Sequence, residues 1–245
     1  MKLLREIFEN HEYEVIIAGS GPAGIAAAIN AGRSGVKTLL IESQGRPGGI
    51  ATTGYMSHWT GTVGNKTYWE ILRRHNEKCG KDSRAIEIDP DLLTITYMEM
   101  LEEANVDCLL YTDVFDVIME ENCVKGVVCC NKNGLTAYTA KVVIDATGDG
   151  DLSVRAGASY TKGDPETGKN QAVSLRYLVS GIDTDAFGAF VREIAKQKNG
   201  RGAYVCDSET WIKKLGKAKL LNKAFSASVS DEVYDGIVEA YLAKK

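Results

Sequence analysis

A chain of 245 residues, 44% apolar and 25% charged, is long enough for one large domain or two modest ones and has the make-up of an ordinary soluble globular protein. A formal charge of -4 offers no basis for a nucleic-acid partner or an anionic membrane surface, and no apolar run reaches transmembrane length. Three histidines and six scattered cysteines without a CxxC pair argue against a metal site and for a reducing, cytoplasmic setting.

The opening segment MKLLREIFENHEYE lacks the uninterrupted apolar core of a signal peptide and reads as a short polar lead-in helix. EVIIAG, ending at Gly19, then predicts a buried strand. A helix with alanine faces follows, started by Pro22 in its first turn and stopped near Gly35. VKTLLIE is the second parallel strand. Gln44 to Asn65 is rich in glycine, threonine and serine and predicts a long loop of the kind that usually carries function.

TYWEILRRHNEKCG predicts a helix with Tyr68, Ile71, Leu72 and His75 on one face, which makes His75 a core residue. DPDLLTITYMEMLEEAN predicts another, capped by Asp89 with Pro90 at its first turn. After the strand VDCLLYT, alternating segments separated by turn clusters at Glu121-Asn122 and Asn131 to Gly134 predict a small antiparallel meander. A separate buried strand, Lys141 to Ala146, is expected after it. Cys129 and Cys130 fall on opposite faces of a meander strand, so they do not form a redox pair. AVSLRYLVSGI predicts a strand in a different layer, and amphipathic lysine-rich helices follow beyond about Asp183.

Gly19-x-Gly21-x-x-Gly24 sits between a strand and a helix, the context that a dinucleotide-binding turn requires. Gly19 permits the tight turn, Gly21 lets the backbone approach a pyrophosphate, and Gly24 lets helix and strand touch. The helix N-terminus offers free amides and partial positive charge to the phosphates. Glu42, at the end of the second strand, can accept hydrogen bonds from ribose hydroxyls and would repel a 2'-phosphate, which disfavours NADP. The glycines alone do not choose between FAD and NAD.

Two further stretches make the choice. ESQGRPGGIATTG directly follows the acid, and VVIDATGDGDLSVRAGA closes the meander. With these the chain resembles, over residues 12 to 182, the FAD-dependent oxidoreductases of the glutathione-reductase-like superfamily. More narrowly, it is similar to the group related to fumarate reductase flavoproteins and thiazole-synthesis enzymes. The resemblance implies an α/β fold: a three-layer, Rossmann-like FAD domain over residues 1–171, with a central parallel sheet and a β-meander. A partial second, substrate or cap domain with a helical tail would occupy 172–245.

The resemblance also implies a binding set for FAD. Gly19, Ser20, Gly21, Pro22, Ala23 and Gly24 form the turn, and Glu42 meets the ribose. Ser43 and Arg46 flank the adenosine, while Gly48 and Gly49 lie along the pyrophosphate and flavin. Val114 meets the adenine through its backbone, and Ala146, Thr147, Gly148 and Asp149 pass beneath the dinucleotide. The implied reaction moves a hydride between flavin N5 and a small-molecule substrate. His58, in GYMSHWTG, follows the flavin-side loop and is the candidate proton donor, although a lone histidine is more often structural.

One departure from the family stands out. No Gly-Asp pair occurs after Asp164, where relatives return to the FAD domain with a ribityl-binding element. The expectation is therefore an N-terminal portion of a flavoenzyme, with a second chain as a possible source of that element. Two alternatives stay open: a non-catalytic nucleotide-binding subunit or half of a split flavoenzyme, and a thiazole-synthase-like enzyme. Against the latter, Lys162 to Ile182 contains no cysteine to donate sulfur.

Overall fold

Strand β1 (Asn10–Ala18) leads through a glycine turn into helix α1 (Pro22–Arg33), and β2 (Thr38–Ile41) returns parallel to β1. The computed structural model describes residues 10–60, 64–171, 173–174, 176, 181, 183, 185–190 and 230–242. Helices α2 (Lys66–Cys79) and α3 (Pro90–Glu103) precede β3 (Val106–Leu109), which adds to β2 in parallel. Then β4 (Asp113–Glu120), β5 (Cys123–Asn131) and β6 (Gly134–Asp145) run as an antiparallel meander, and the short helix α4 (Asp151–Arg155) follows. All six strands join one sheet in the order β3-β2-β1-β6-β5-β4.

The alternation of side chains along β1 and β2 sorts them onto two cores. Ile17 and Leu40 point to the helical side and pack with Ile25, Ala28 and Ile29 of α1 and Leu93, Tyr97 and Met100 of α3. Ile16, Ala18, Leu39 and Ile41 point the other way, onto Val127 and Cys129 of β5, Tyr138 of β6 and Leu152 of α4. The meander thus covers the face of the parallel strands that the helices leave bare, giving three layers. This is the α/β, Rossmann-like arrangement expected, with a parallel sheet at its centre.

Two details differ from the sequence reading. The polar segment before Tyr13 is not helical within the described residues. Asn10 to Tyr13 already belong to β1, paired with Ala137 to Ala140. The reason is aromatic: His11 stacks on Tyr138 at 5.3 Å between centroids, and Tyr13 lies 6.4 Å from the same ring. Second, the last meander strand and the buried strand from Lys141 are one element. β6 pairs with β5 through Gly134 to Thr139 and with β1 through Ala137 to Asp145. Lys141 breaks the apolar pattern without breaking the strand, because its ammonium reaches the Glu14 carboxylate at 2.9 Å.

The expected caps form. Asn65 accepts from the Tyr68 N–H at the start of α2, and Asp89 accepts from the Asp91 and Leu92 amides at the start of α3. His75 is fully buried, with Nε2 accepting from the Asp89 N–H and Nδ1 facing Asn76 Oδ1. Asn76 donates its amide hydrogens to Asp82 and Ala85 carbonyls, so its oxygen is the acceptor and the His75 proton sits on Nδ1. His75 therefore staples α2 to the first turn of α3. Bidentate Arg33–Glu70 and Arg74–Glu103 pairs also cross between the helices, half-exposed and so worth little individually.

Tyr97 is the exception in this core. Its ring is fully buried, yet its hydroxyl has no hydrogen-bond partner among the described residues, and burial pushes its pKa above the ordinary tyrosine range, making it a weaker acid. Removing an unsatisfied buried donor is favourable where the ring contacts are kept. Tyr97→Phe is expected to leave stability unchanged or raise it by about 1 kcal/mol in urea unfolding.

The chain divides into two compact units, residues 1–173 and 174–245. Within the second, a helical stretch over 185–190 and the helix Asp231–Leu242 are described. The strand expected from AVSLRYLVSGI and most of the expected lysine-rich helices fall largely outside the described residues. No helix among the described residues is long and apolar enough to cross a membrane.

Candidate functional site

The C-terminal ends of β1 and β6 lie side by side, with Ala18 opposite Asp145, so the turns that leave them are neighbours. Gly19 adopts φ +91°, a conformation that L side chains rarely take, and any Cβ there would strike the Ala146 carbonyl. A Cβ on Gly24 would overlap the Gly19 carbonyl oxygen and press on the Ala146 side chain at 3.3 Å. Both glycines are therefore demanded by the protein's own packing. Ser20, Pro22 and Ala23 complete the turn. Gly21 caps α1 without a side-chain bond, and no acid stands in the first turn. The first-turn amides of α1 have no intrahelical carbonyl, so they are free to meet an anion.

Gly21 itself has φ -60°, which any residue can adopt, and a Cβ there would meet nothing within 4 Å. Gly148 is the same: its φ is not positive, and a Cβ would reach open space. Among the described glycines of residues 1–173, every other position has a positive φ or a neighbouring atom where a Cβ would stand. The fold gives no reason for glycine at these two places.

The diglycine turn docks on the same spot. Gly48 N–H donates to the Ser20 carbonyl at 2.8 Å, and a Cβ on Gly49 would come within 3.0 Å of Gly21 Cα. Both Gly48 and Gly49 have positive φ. Arg46 donates to Asp91 Oδ1 at 2.6 Å and to the Thr52 carbonyl at 3.0 Å, bracing this loop against the first turn of α3. Its guanidinium also lies 5.4 Å from the Tyr55 ring centroid.

Glu42 is buried and already well supplied with donors. Its Oε2 accepts from the Ser20 N–H at 2.9 Å and the Ser20 hydroxyl at 2.6 Å. Its Oε1 accepts from the Gln44 N–H at 2.8 Å and the Ser43 hydroxyl at 3.2 Å. Burial opposes ionisation, but these four bonds outweigh it and hold the carboxyl below the usual glutamate range. Glu42 thus ties the end of β2 to the glycine turn, and a sugar hydroxyl would compete with the two serine hydroxyls for it.

The structure brings together residues 19–24, Glu42, Ser43, Gly48, Gly49, Ala146 and Thr147. Gly148 and Asp149 continue from Thr147 and are exposed. Val114 stands in β4 opposite Cys129 and packs against the core cluster that contains Ile41 and Cys129. His58 is placed by other contacts: it is exposed, bridges to Glu87 across an isolated antiparallel pair, and lies 2.9 Å from Ser57 Oγ through Nδ1. The sequence reading missed Asp145, whose carboxylate holds the 146–149 loop. Its signal was present as Asp-x-Thr, the spacing at which a side-chain oxygen captures the backbone two residues on.

A family profile described as FAD-dependent oxidoreductase matches residues 14–238. The chain belongs to that family. Its cofactor is FAD, and the two unexplained glycines beside an uncapped helix N-terminus fit such a group. Among curated relatives of this flavoprotein is digeranylgeranylglycerophospholipid reductase 1 of Methanococcoides burtonii. It is 29% identical over 204 residues, covering 71% of this chain and 46% of that protein. Thiamine thiazole synthase of Methanococcus vannielii is 34% identical over 152 residues, 56% of each chain. The flavoprotein thus spans about half the length of these relatives. A solved geranylgeranyl bacteriochlorophyll reductase-like protein of Thermoplasma acidophilum overlays with TM-score 0.47 and 22% identity, over 60% of this chain and 42% of that one.

Proposed function

We propose that residues 1–171 form the FAD-binding domain of an oxidoreductase that passes electrons between FAD and a small-molecule substrate. The observation that carries this reading is the pair of open, unstrained glycines, Gly21 and Gly148, on turns that the β1–β6 pairing makes adjacent. FAD, when bound, supplies the two-electron redox chemistry. The chain's own residues bind and orient it. The first-turn amides of α1, with Ser20 to Gly24, would meet the pyrophosphate, and Gly48 and Gly49 would flank it. Glu42 would take the ribose hydroxyls, Ser43 and Arg46 would flank the adenosine, and the Val114 backbone would meet the adenine. Residues 146–149 would lie beneath the dinucleotide.

For the proton that accompanies the electrons, this reading nominates His58, exposed on the segment that leaves the diglycine turn. The reductase relative aligns over more of the chain than the thiazole synthase does, 71% against 56%. With no cysteine between Lys162 and Ile182, the reading favours reductase chemistry over sulfur donation. The five described cysteines are free thiols, in keeping with a cytoplasmic placement.

Fluorescence titration of the purified chain with FAD, NAD and NADP tests the reading. FAD is expected to bind at least tenfold more tightly than either nicotinamide dinucleotide, about 1.4 kcal/mol. A preference for NAD or NADP overturns it.

A further inference from the structure

We propose that Asp145 is a positioning residue for the cofactor: its carboxylate braces the 146–149 loop so that the Gly148 backbone is presented to FAD. The inference rests on the FAD-site reading above. Four donors converge on this one side chain. Thr147 gives its N–H at 3.1 Å and its hydroxyl at 2.6 Å to Oδ1, and Ser153 gives its N–H at 2.8 Å and its hydroxyl at 2.7 Å to Oδ2. The Thr147 oxygen in turn accepts from the Asp151 N–H at 2.8 Å. The end of β6, the loop and α4 are closed into one bracket.

The bracket is anchored where it matters. Asp145 is paired with Ala18, one residue before Gly19, and the Ala146 N–H donates to the Ala18 carbonyl at 2.9 Å. The loop's near end is therefore fixed against the glycine turn, and Asp145 fixes its course onward to Gly148. A role limited to capping α4 does not account for Oδ1, whose two donors both belong to Thr147 in the loop. The site needs a carboxylate, since four N–H and O–H donors require an acceptor at both oxygens. An asparagine would turn an NH2 group toward one pair of donors. Burial opposes ionisation of Asp145, but the bonds from Thr147 and Ser153 prevail and keep it below the usual aspartate range.

The test uses the full chain with Asp145→Asn, Ser153→Ala and the double variant, each titrated with FAD by fluorescence. The expected result is a tenfold or greater loss of affinity in Asp145→Asn and about a threefold loss in Ser153→Ala. The double variant should be no weaker than Asp145→Asn, because Ser153 acts through Asp145. In the FAD-free Asp145→Asn protein, amide exchange should quicken at Thr147, Asp151 and Ser153, whose N–H groups the bracket holds, while β1 stays protected, a pattern that general destabilisation does not produce. A parent chain that does not bind FAD refutes the site reading itself. FAD binding by the parent and equal binding by folded Asp145→Asn refutes the brace alone, as does a loss that disappears once the unfolded fraction is subtracted. Should Asp145→Asn not fold, unchanged FAD affinity in folded Ser153→Ala overturns the proposal.

Discussion

Gly21→Val is expected to abolish FAD binding while leaving the protein folded. The position has φ -60° and ψ 177°, an extended conformation that valine favours, and its Cβ would enter open space. In the proposed binding mode that space is where a pyrophosphate would approach the α1 amides, so the branched side chain would hold the phosphates off the backbone. A loss of about three decades in FAD affinity, ~4 kcal/mol, is the scale expected, with far-UV circular dichroism unchanged. Gly24→Ala is the informative contrast. There a Cβ overlaps the Gly19 carbonyl oxygen, so the same small change should destabilise the fold by about 1–3 kcal/mol in urea, as overpacking does. Normal FAD retention in Gly21→Val would mean that no ligand occupies this approach.

Glu42→Ala should damage both folding and binding. It strands the Ser20 and Gln44 amides and two serine hydroxyls, all of which now donate to one buried carboxylate. Leaving buried donors unmade costs about 1–3 kcal/mol, and FAD affinity should fall by a further ~1–3 kcal/mol if Glu42 takes the ribose as proposed. The pH dependence has a definite sign. The folded-state pKa lies below the ordinary 4.5, so the stabilisation is complete above that value and disappears as pH falls through the folded-state pKa. Parallel acid titrations of unfolding should therefore show the parent losing stability in that range and Glu42→Ala losing less. Equal stability of the two at pH 7 would mean that the carboxylate is not holding the turn.

What was legible in the sequence was whatever depends on neighbours along the chain. The glycine turn, the Asp89 cap, the meander turns and the position of Glu42 at a strand end are all local patterns. The double duty of Glu42 was hidden because its partner Ser20 lies 22 residues away. Arg46 likewise meets Asp91 across 45 residues, and no spacing rule announces such a pair. The early start of β1 was masked by polar side chains whose fit depends on Tyr138, and β6 was read as a meander strand plus a separate strand from Lys141, although Lys141, paired with Glu14, lies within one strand. Asp145 was visible as a residue type but not as a brace, since half of its donors come from Ser153 beyond the loop.

The undivided run of β6 has a consequence for the order of events on a ribosome. Its partner β1 is made more than 120 residues earlier, and β1 pairs from Asn10 to Ala18 with residues 137–145, while β2 reaches only its last four residues. A nascent chain that has emerged only as far as Asn131 already carries the glycine turn, α1 and Glu42, yet it has no floor beneath them. Closing so long a loop is entropically costly and slow compared with forming the helices. The proposed ligand cradle is thus a non-local product of the chain, completed only when residues 146–149 follow β6 into place. Cofactor capture would then reward the same closure that creates the cradle, so that flavin binding and the β1–β6 pairing favour one another.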